Sequence, residues 1–216
     1  MMDFDLIIFD CDGVLVDSEI ISNVLLRDAL ARNGLDMTLQ DVIETYVGRS
    51  MLSVVKISEK LLERPLPDDF LEKLQSDTFN EFRKKLKAVK GVKDVLRILQ
   101  EKQIKYCVAS SGTFEKMDIT LGLTELKEFF DDHIYNTSQV KRGKPYPDLF
   151  LYAAEQMQVE PAKCLVIEDS LPGVQAAVNA GMEVMAYSVR GNDDKLKKAG
   201  GLVINDMGQV IEHIFN

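Results

Sequence analysis

The chain is expected to fold as an α/β protein, a doubly wound and mostly parallel sheet carrying an inserted helical domain. Three observations lead there. Short apolar runs of strand length recur along the sequence, beginning with Leu6-Ile7-Ile8-Phe9. Helical patterns lie between several of them, and strands alternating with helices build a parallel sheet through right-handed crossovers. Between Asp10 and Lys105, however, no run reads as a strand, and that stretch is too long for one crossover.

Taken in order, the first run ends at Asp10 and a helical segment follows. Ile21, Leu25, Leu26, Ala29 and Leu30 form one stripe at helical spacing, ending near Gly34. Val54, Val55, Ile57, Ser58, Leu61 and Leu62 form a second, ending near Pro65-Leu66-Pro67, and Phe70, Leu71, Leu74, Thr78, Phe79, Phe82 and Leu86 form a third. Such stripes bury themselves against one another. Residues 17–88 therefore read as a helical domain of their own, and residues 1–16 with 89–216 as the α/β core. Val92, Val95, Leu96 and Leu99 mark a helix before the second strand, at 106–109. A third strand is expected at 164–167, then a helix through Val174, Ala176, Ala177, Val178 and Ala180 that stops at Gly181,. Strands at 184–187 and 202–204 and a last helix close the core. An insertion placed directly after a candidate catalytic loop is well situated to act as a lid.

Composition narrows the function. With 216 residues, 46% of them hydrophobic, the chain has ample material for a core,. Its apolar runs fall far short of the roughly 20 residues that span a membrane. Met1-Met2-Asp3-Phe4-Asp5 lacks the basic flank of a secretory signal, which implies a cytoplasmic protein. A net charge of −9 argues against nucleic acid or an anionic membrane as partner,. Lys and Arg thicken between Arg83 and Lys105, but apolar residues interrupt them at helical spacing, as on solvated helix faces. Cys11, Cys107 and Cys164 form no paired motif and read as reduced, packed thiols,. His133 and His213 have no motif around them, which disfavours a catalytic histidine or a histidine-rich zinc site.

Four polar signals sit where strands end. Asp10-Cys11-Asp12-Gly13 places two acids two residues apart, and such a pair invites a shared proton or a divalent metal. Ser110-Ser111-Gly112-Thr113 offers hydroxyls and amides at a helix start, a cradle for an anion. Lys144 lies in Arg142-Gly143-Lys144-Pro145-Tyr146-Pro147, with prolines stiffening the backbone, and Glu168-Asp169-Ser170 follows the third strand. Each alone has a dull explanation as an acidic turn, a helix cap or a surface lysine. In a parallel sheet they share one edge, with Asp10, Asp12, Glu168 and Asp169 opposite only Lys144. Like charges about 4 Å apart cost roughly 1 to 4 kcal/mol per pair, so a cation is required. Hard oxygen donors favour Mg²⁺.

The ordered set Asp10-Cys11-Asp12-Gly13, Ser110, Lys144-Pro145 and Glu168-Asp169 resembles the four motifs of the haloacid dehalogenase (HAD)-like hydrolase superfamily, over most of the chain. The resemblance implies a Rossmann-like core and a four-helix-type cap inserted after the first motif. It implies Asp10 as the nucleophile that becomes an aspartyl-phosphate, and Asp12 as the acid for the leaving alcohol and then the base for water. Mg²⁺ would be held by Asp10, the backbone carbonyl of Asp12 and Asp169, with Glu168 in close support, and Ser110 and Lys144 would bind the phosphoryl group with Ser111 beside them. Haloacid dehalogenases themselves lack the second aspartate. Sugar-phosphate mutases of the β-phosphoglucomutase type typically carry a histidine where this chain has Ser22. Asp17-Ser18-Glu19 and the stretch from Glu168 to Gly173 are most similar to sugar-phosphate and 6-phosphogluconate phosphatases. Gly48-Arg49-Ser50 falls where the cap loop of similar proteins meets substrate. Arg49 there would grip a second anionic or polyhydroxy group, the alternative being a plain helix junction capped by Ser50. The expectation is a monomeric Mg²⁺-dependent phosphomonoesterase for a small phosphorylated metabolite, a sugar or sugar-acid phosphate. The alternatives are a β-phosphoglucomutase-type isomerase and a catalytically silent phosphate-binding protein.

Overall fold

Leu6-Ile7-Ile8-Phe9 has no polar side chain to show to water, and it forms strand β1 (Leu6–Phe9), buried along its whole length. A strand with neighbours on both sides and helices on both faces requires that character. The computed structural model describes residues 4–47, 51–188, 191 and 193–215. After β1 come α1 (Glu19–Arg32), α2 (Leu39–Tyr46), α3 (Met51–Leu62) and α4 (Phe70–Lys85). The chain continues through α5 (Val92–Glu101), β2 (Lys105–Ser110), α6 (Phe114–Leu123), α7 (Lys127–Phe130), β3 (Ile134–Asn136) and α8 (Asp148–Gln156). It ends with β4 (Cys164–Glu168), α9 (Leu171–Asn179), β5 (Glu183–Tyr187), α10 (Asp193–Lys198), β6 (Leu202–Ile204) and α11 (Gly208–Phe215). Among the described residues no helix is long and apolar enough to cross a membrane.

The strands form one sheet in the order β3-β2-β1-β4-β5-β6, and every pairing is parallel. From β1 the chain works outward through β2 to β3, then returns to place β4 on the other side of β1. That reversal makes the gap between the carboxyl ends of β1 and β4 the topological switch point, where open α/β sheets take their ligands. Alternation sends Leu6 and Ile8 to one face, in a core with Cys107, Ala109, Cys164 and Val166,. Phe9 packs edge-on against Phe130, ring centroids 6.4 Å apart.

The chain divides into two compact units, residues 1–17 with 87–216 and residues 18–86. The second unit, α1 to α4, has its own core of Leu26, Leu30, Val42, Tyr46, Val54, Phe70 and Leu74. Ser58 is fully buried there, yet it bonds the Tyr46 hydroxyl at 2.9 Å and donates to the Val54 carbonyl at 2.8 Å, so its polarity is satisfied,. In the first unit the chain on either side of the insertion is joined. Asp17 N–H donates to the Lys87 carbonyl at 3.0 Å, and Val16 bridges Ala88 in antiparallel sense.

Candidate active site

Asp10 follows β1 directly, and its N–H donates to the Ile167 carbonyl at 2.9 Å, continuing the β1–β4 pairing up to the sheet edge. The chain then turns sharply. Gly13 N–H donates to the Val16 carbonyl at 2.8 Å, while Leu15 and Val16 both donate to the Cys11 carbonyl, at 2.9 and 3.1 Å. Gly13 holds φ +81°, a conformation costly for other residues, and a Cβ there would lie 2.0 Å from Asp169 Oδ2,. The bare backbone thus lets the Asp169 carboxylate lie against the loop that carries Asp10 and Asp12.

Lys144 binds the groups together. Its ammonium donates to Asp10 Oδ1 at 2.6 Å, to Glu168 Oε1 at 2.7 Å and to the Ala109 carbonyl at 3.1 Å, an acceptor for each of its three protons. These are buried charges, the side chains of Lys144, Asp10 and Glu168 being 5%, 9% and 1% exposed. The other Glu168 oxygen accepts from Asp169 N–H and Ser170 N–H, both at 2.8 Å, and from Ser170 Oγ at 2.9 Å. Glu168 therefore anchors both Lys144 and the turn that carries Asp169. Ser110, last residue of β2, is buried, and its hydroxyl accepts from Gly112 N–H at 3.2 Å. Ser111 beside it is exposed. Arg49 lies outside the described residues.

One residue was not foreseen from the sequence. Lys116, in the first turn of α6, donates to Asp12 Oδ2 at 2.7 Å. A signal existed: a lysine in a helix's first turn is unfavourably placed against the helix dipole, so a partner carboxylate was to be sought.

The electrostatics show a site short of positive charge. Burial raises the Asp10 carboxyl to about 7, with Lys144 opposing and Glu168 and Asp12 reinforcing. Burial, then Glu168 and Asp10, hold Asp169 well above the usual carboxylate range. Burial would lower the Lys144 ammonium, but Asp10 and Glu168 more than reverse it, and it stays charged. Lys116 is likewise raised despite burial, through Asp12. The Cys11 thiol is pushed up by burial and then by Asp12 and Asp10, which keeps it unreactive,.

Such an arrangement suits a nucleophilic carboxylate, an acid or base two residues away, and cations for an incoming anion. The comparisons with known proteins agree in kind. The model of a family described as haloacid dehalogenase-like hydrolase matches residues 7–187. The chain is 31% identical over 201 residues to the phosphorylated carbohydrates phosphatase of Thermotoga maritima, 92% of each chain being covered. It is 27% identical over 188 residues to the 6-phosphogluconate phosphatase of Escherichia coli, covering 87% of this chain and 84% of that one. A crystal structure of a HAD family hydrolase from Deinococcus radiodurans, with bound phosphate and sodium, superposes with a TM-score of 0.82. It is 29% identical, and the match covers 97% of this chain and 94% of that one.

Proposed function

The chain belongs to the haloacid dehalogenase-like hydrolases, and we propose that it is a Mg²⁺-dependent phosphomonoesterase acting on a sugar phosphate or sugar-acid phosphate. The observation that carries this reading is the buried Lys144, held between Asp10 and Glu168 at 2.6 and 2.7 Å where the sheet order reverses. Lys144 fixes the plane of the Asp10 carboxylate and leaves Asp10 Oδ2 to attack phosphorus. The P–O bond to the leaving alcohol breaks as Asp12, which enters the step with a proton on the oxygen not bonded to Lys116, supplies that proton, giving an aspartyl-phosphate on Asp10. Asp12, now ionised, takes a proton from water. That water attacks phosphorus, and the bond to Asp10 breaks to release phosphate. Ser110 holds a phosphoryl oxygen through its hydroxyl, the Lys144 charge attracts the group without spending a further proton on it, Ser111 stands at the rim, and residues 18–86 act as the cap that excludes water.

The residues present fit a divalent cation. Two carboxylates, the buried Asp10 and the half-buried Asp169, are both held protonated beyond their usual range, and Asp169 fills the cradle left by the missing Gly13 side chain. Among the described residues no three His, Cys, Asp or Glu side chains form a ready metal cage. The proposed donors are accordingly Asp10, Asp169 and the Asp12 backbone carbonyl, with Glu168 behind them and water completing the set, which suits Mg²⁺ better than Zn²⁺. Bound there, Mg²⁺ would offset charge on the transferring phosphoryl group.

Names of relatives support the substrate class, among them 6-phosphogluconate phosphatase and phosphorylated carbohydrates phosphatase. Ser22 weighs against the mutase reading, since its hydroxyl donates to the Ser18 carbonyl at 2.9 Å and is engaged within the helix. Action in the cytoplasm, as a monomer, belongs to the same reading.

The test is phosphate release from sugar phosphates, sugar-acid phosphates, phosphoglycolate and nucleotides, with Mg²⁺ and with EDTA. Release from one subset, lost with EDTA and in Asp10→Asn, is expected. Turnover by Asp10→Asn with an unchanged pH profile would remove Asp10 as nucleophile.

A further inference from the structure

We propose that Lys116 is a positioning residue for Asp12, holding its carboxylate in the orientation from which it serves the leaving group. The inference rests on the phosphatase reading above, in which Asp12 handles the proton. It begins from the contact of 2.7 Å between Lys116 Nζ and Asp12 Oδ2. Exposed ion pairs of this kind fix little, but the two side chains are only 28% and 24% exposed.

Both partners are rooted. The backbone of Asp12 is set by the turn from Cys11 to Val16, including a bridge between Asp12 and Val16. The backbone of Lys116 is set by the α6 cap, where Thr113 Oγ1 accepts from Lys116 N–H at 3.2 Å and the Thr113 carbonyl accepts from Met117 N–H at 3.0 Å. One helical turn on, Thr120 Oγ1 meets Cys11 Sγ at 3.9 Å. Residues 116 and 120 share one face of α6, and they meet two consecutive residues of the loop, so the helix is registered against it. With both backbones fixed, the remaining freedom of Asp12 is rotation of its side chain, and Lys116 restrains that.

The contact also lies inside the site. A Cβ on Gly112 would stand 3.6 Å from Asp12 Oδ2, 3.6 Å from Ser110 Oγ and 3.8 Å from Lys116 Cδ. Asp12, Ser110 and Lys116 thus converge on one bare stretch of backbone. The two lysines divide the carboxylates between them: Lys144 holds Asp10 and Glu168, and Lys116 holds Asp12.

A positioning role predicts a loss that depends on the leaving group, because only poor leaving groups need a well-placed acid. The experiment measures kcat and KM with Mg²⁺ on substituted phenyl phosphates of graded leaving-group acidity. It compares wild type, Lys116→Gln, Lys116→Arg, Asp12→Asn and the double variant Asp12→Asn with Lys116→Gln. Loss of a general acid costs roughly 10²- to 10⁴-fold, so Asp12→Asn should steepen the dependence strongly. Lys116→Gln should lower kcat on phenyl phosphate about 10- to 100-fold, as a fraction of the general-acid contribution. On dinitrophenyl phosphate the loss should stay under about threefold, with KM changed no more than that, because that leaving group needs little protonation. Lys116→Arg should recover most of the rate. The double variant should be no slower than Asp12→Asn alone, the mark of two residues acting as a unit.

A loss equal across all leaving groups, a rise in KM alone, or losses that multiply in the double variant would overturn the assignment. If Asp12→Asn itself leaves the leaving-group dependence unchanged, the role of Asp12 falls and this inference with it. If Asp12→Asn steepens the dependence and Lys116→Gln does not, Lys116 alone loses its role.

Discussion

At the residue scale the site is a charge imbalance: the carboxylates of Asp10, Asp12, Glu168 and Asp169 face the ammonium groups of Lys144 and Lys116. Asp10 carries the clearest consequence, since burial raises its carboxyl from 3.8 to about 7. The folded protein then holds that proton more tightly than the unfolded chain does. The associated stability is complete below 3.8 and is lost as pH rises through about 7,. Without divalent cations, wild-type protein should therefore weaken over that window, while Asp10→Asn, with no proton to lose there, escapes this part of the decline. Thermal melts in EDTA across the window should show a gap opening in favour of Asp10→Asn, and Mg²⁺ should restore the wild type more than the variant. Melting curves that stay parallel with pH would refute the burial argument. The acids and Lys144 were legible in the sequence because each sits at a strand end or in a proline-stiffened turn, where position alone suggests exposure to a ligand. Lys116 was not, because it belongs to no motif and its partner lies 104 residues away.

Elements convert those residues into geometry, and α9 shows how. It begins behind its N-cap Ser170, whose hydroxyl accepts from Gly173 N–H at 3.1 Å while donating to Glu168 at 2.9 Å. Gly173 sits in the first turn, where alanine would ordinarily stabilise a helix by about 1 kcal/mol. Here a Cβ would fall 1.7 Å from Glu168 Oε1 and 2.4 Å from Oε2, on a carboxylate fixed by Lys144 and two backbone N–H groups. Overpacking costs typically ~1 to 3 kcal/mol, so the clash should outweigh the propensity gain. Gly173→Ala is expected to lower the melting temperature and, by displacing Glu168 and with it Lys144, to lower kcat. A variant more stable than wild type with kcat unchanged would show that Glu168 can move without consequence. Elements with strong apolar runs or stripes were readable from sequence, including β1, β2, β4, α1, α3 and α4. β3 was missed because it has three residues, at the edge of the sheet and paired with β2 alone. The helix α2 was also missed, since only Val42 and Tyr46 on it are buried. What starts it is a reciprocal cap: Thr38 Oγ1 accepts from Asp41 N–H at 3.1 Å, and the Asp41 carboxylate accepts from Thr38 N–H at 3.0 Å. Caps are local and need no stripe.

At the scale of the whole molecule, the helical unit is an insertion with a core of its own. Sequence periodicity places the insertion at residues 17–88, and the compact units divide at 17/18 and 86/87. The reason for a sharp division is physical. Residues 18–86 bury their own stripes in their own core, and the segments entering and leaving them are already joined by the antiparallel bridge between Val16 and Ala88 and by Asp17 N–H donating to the Lys87 carbonyl at 3.0 Å. An antiparallel pair of that kind is what a two-residue turn closes, and shortening a loop lowers its closure entropy cost. Replacing residues 18–86 by Asn-Gly should therefore leave a core that unfolds cooperatively and is stabilised by Mg²⁺, because Asp10, Asp12, Ser110, Lys144, Glu168 and Asp169 all remain. If the insertion supplies selectivity and water exclusion, as proposed, the shortened protein should still hydrolyse phenyl phosphate slowly but lose its discrimination among sugar phosphates. Circular dichroism melts and the substrate panel check the two halves separately. A core that fails to fold would show that the units depend on each other for stability. A core that folds and keeps the full selectivity of the whole chain would move specificity out of residues 18–86 and into the loops at the sheet edge.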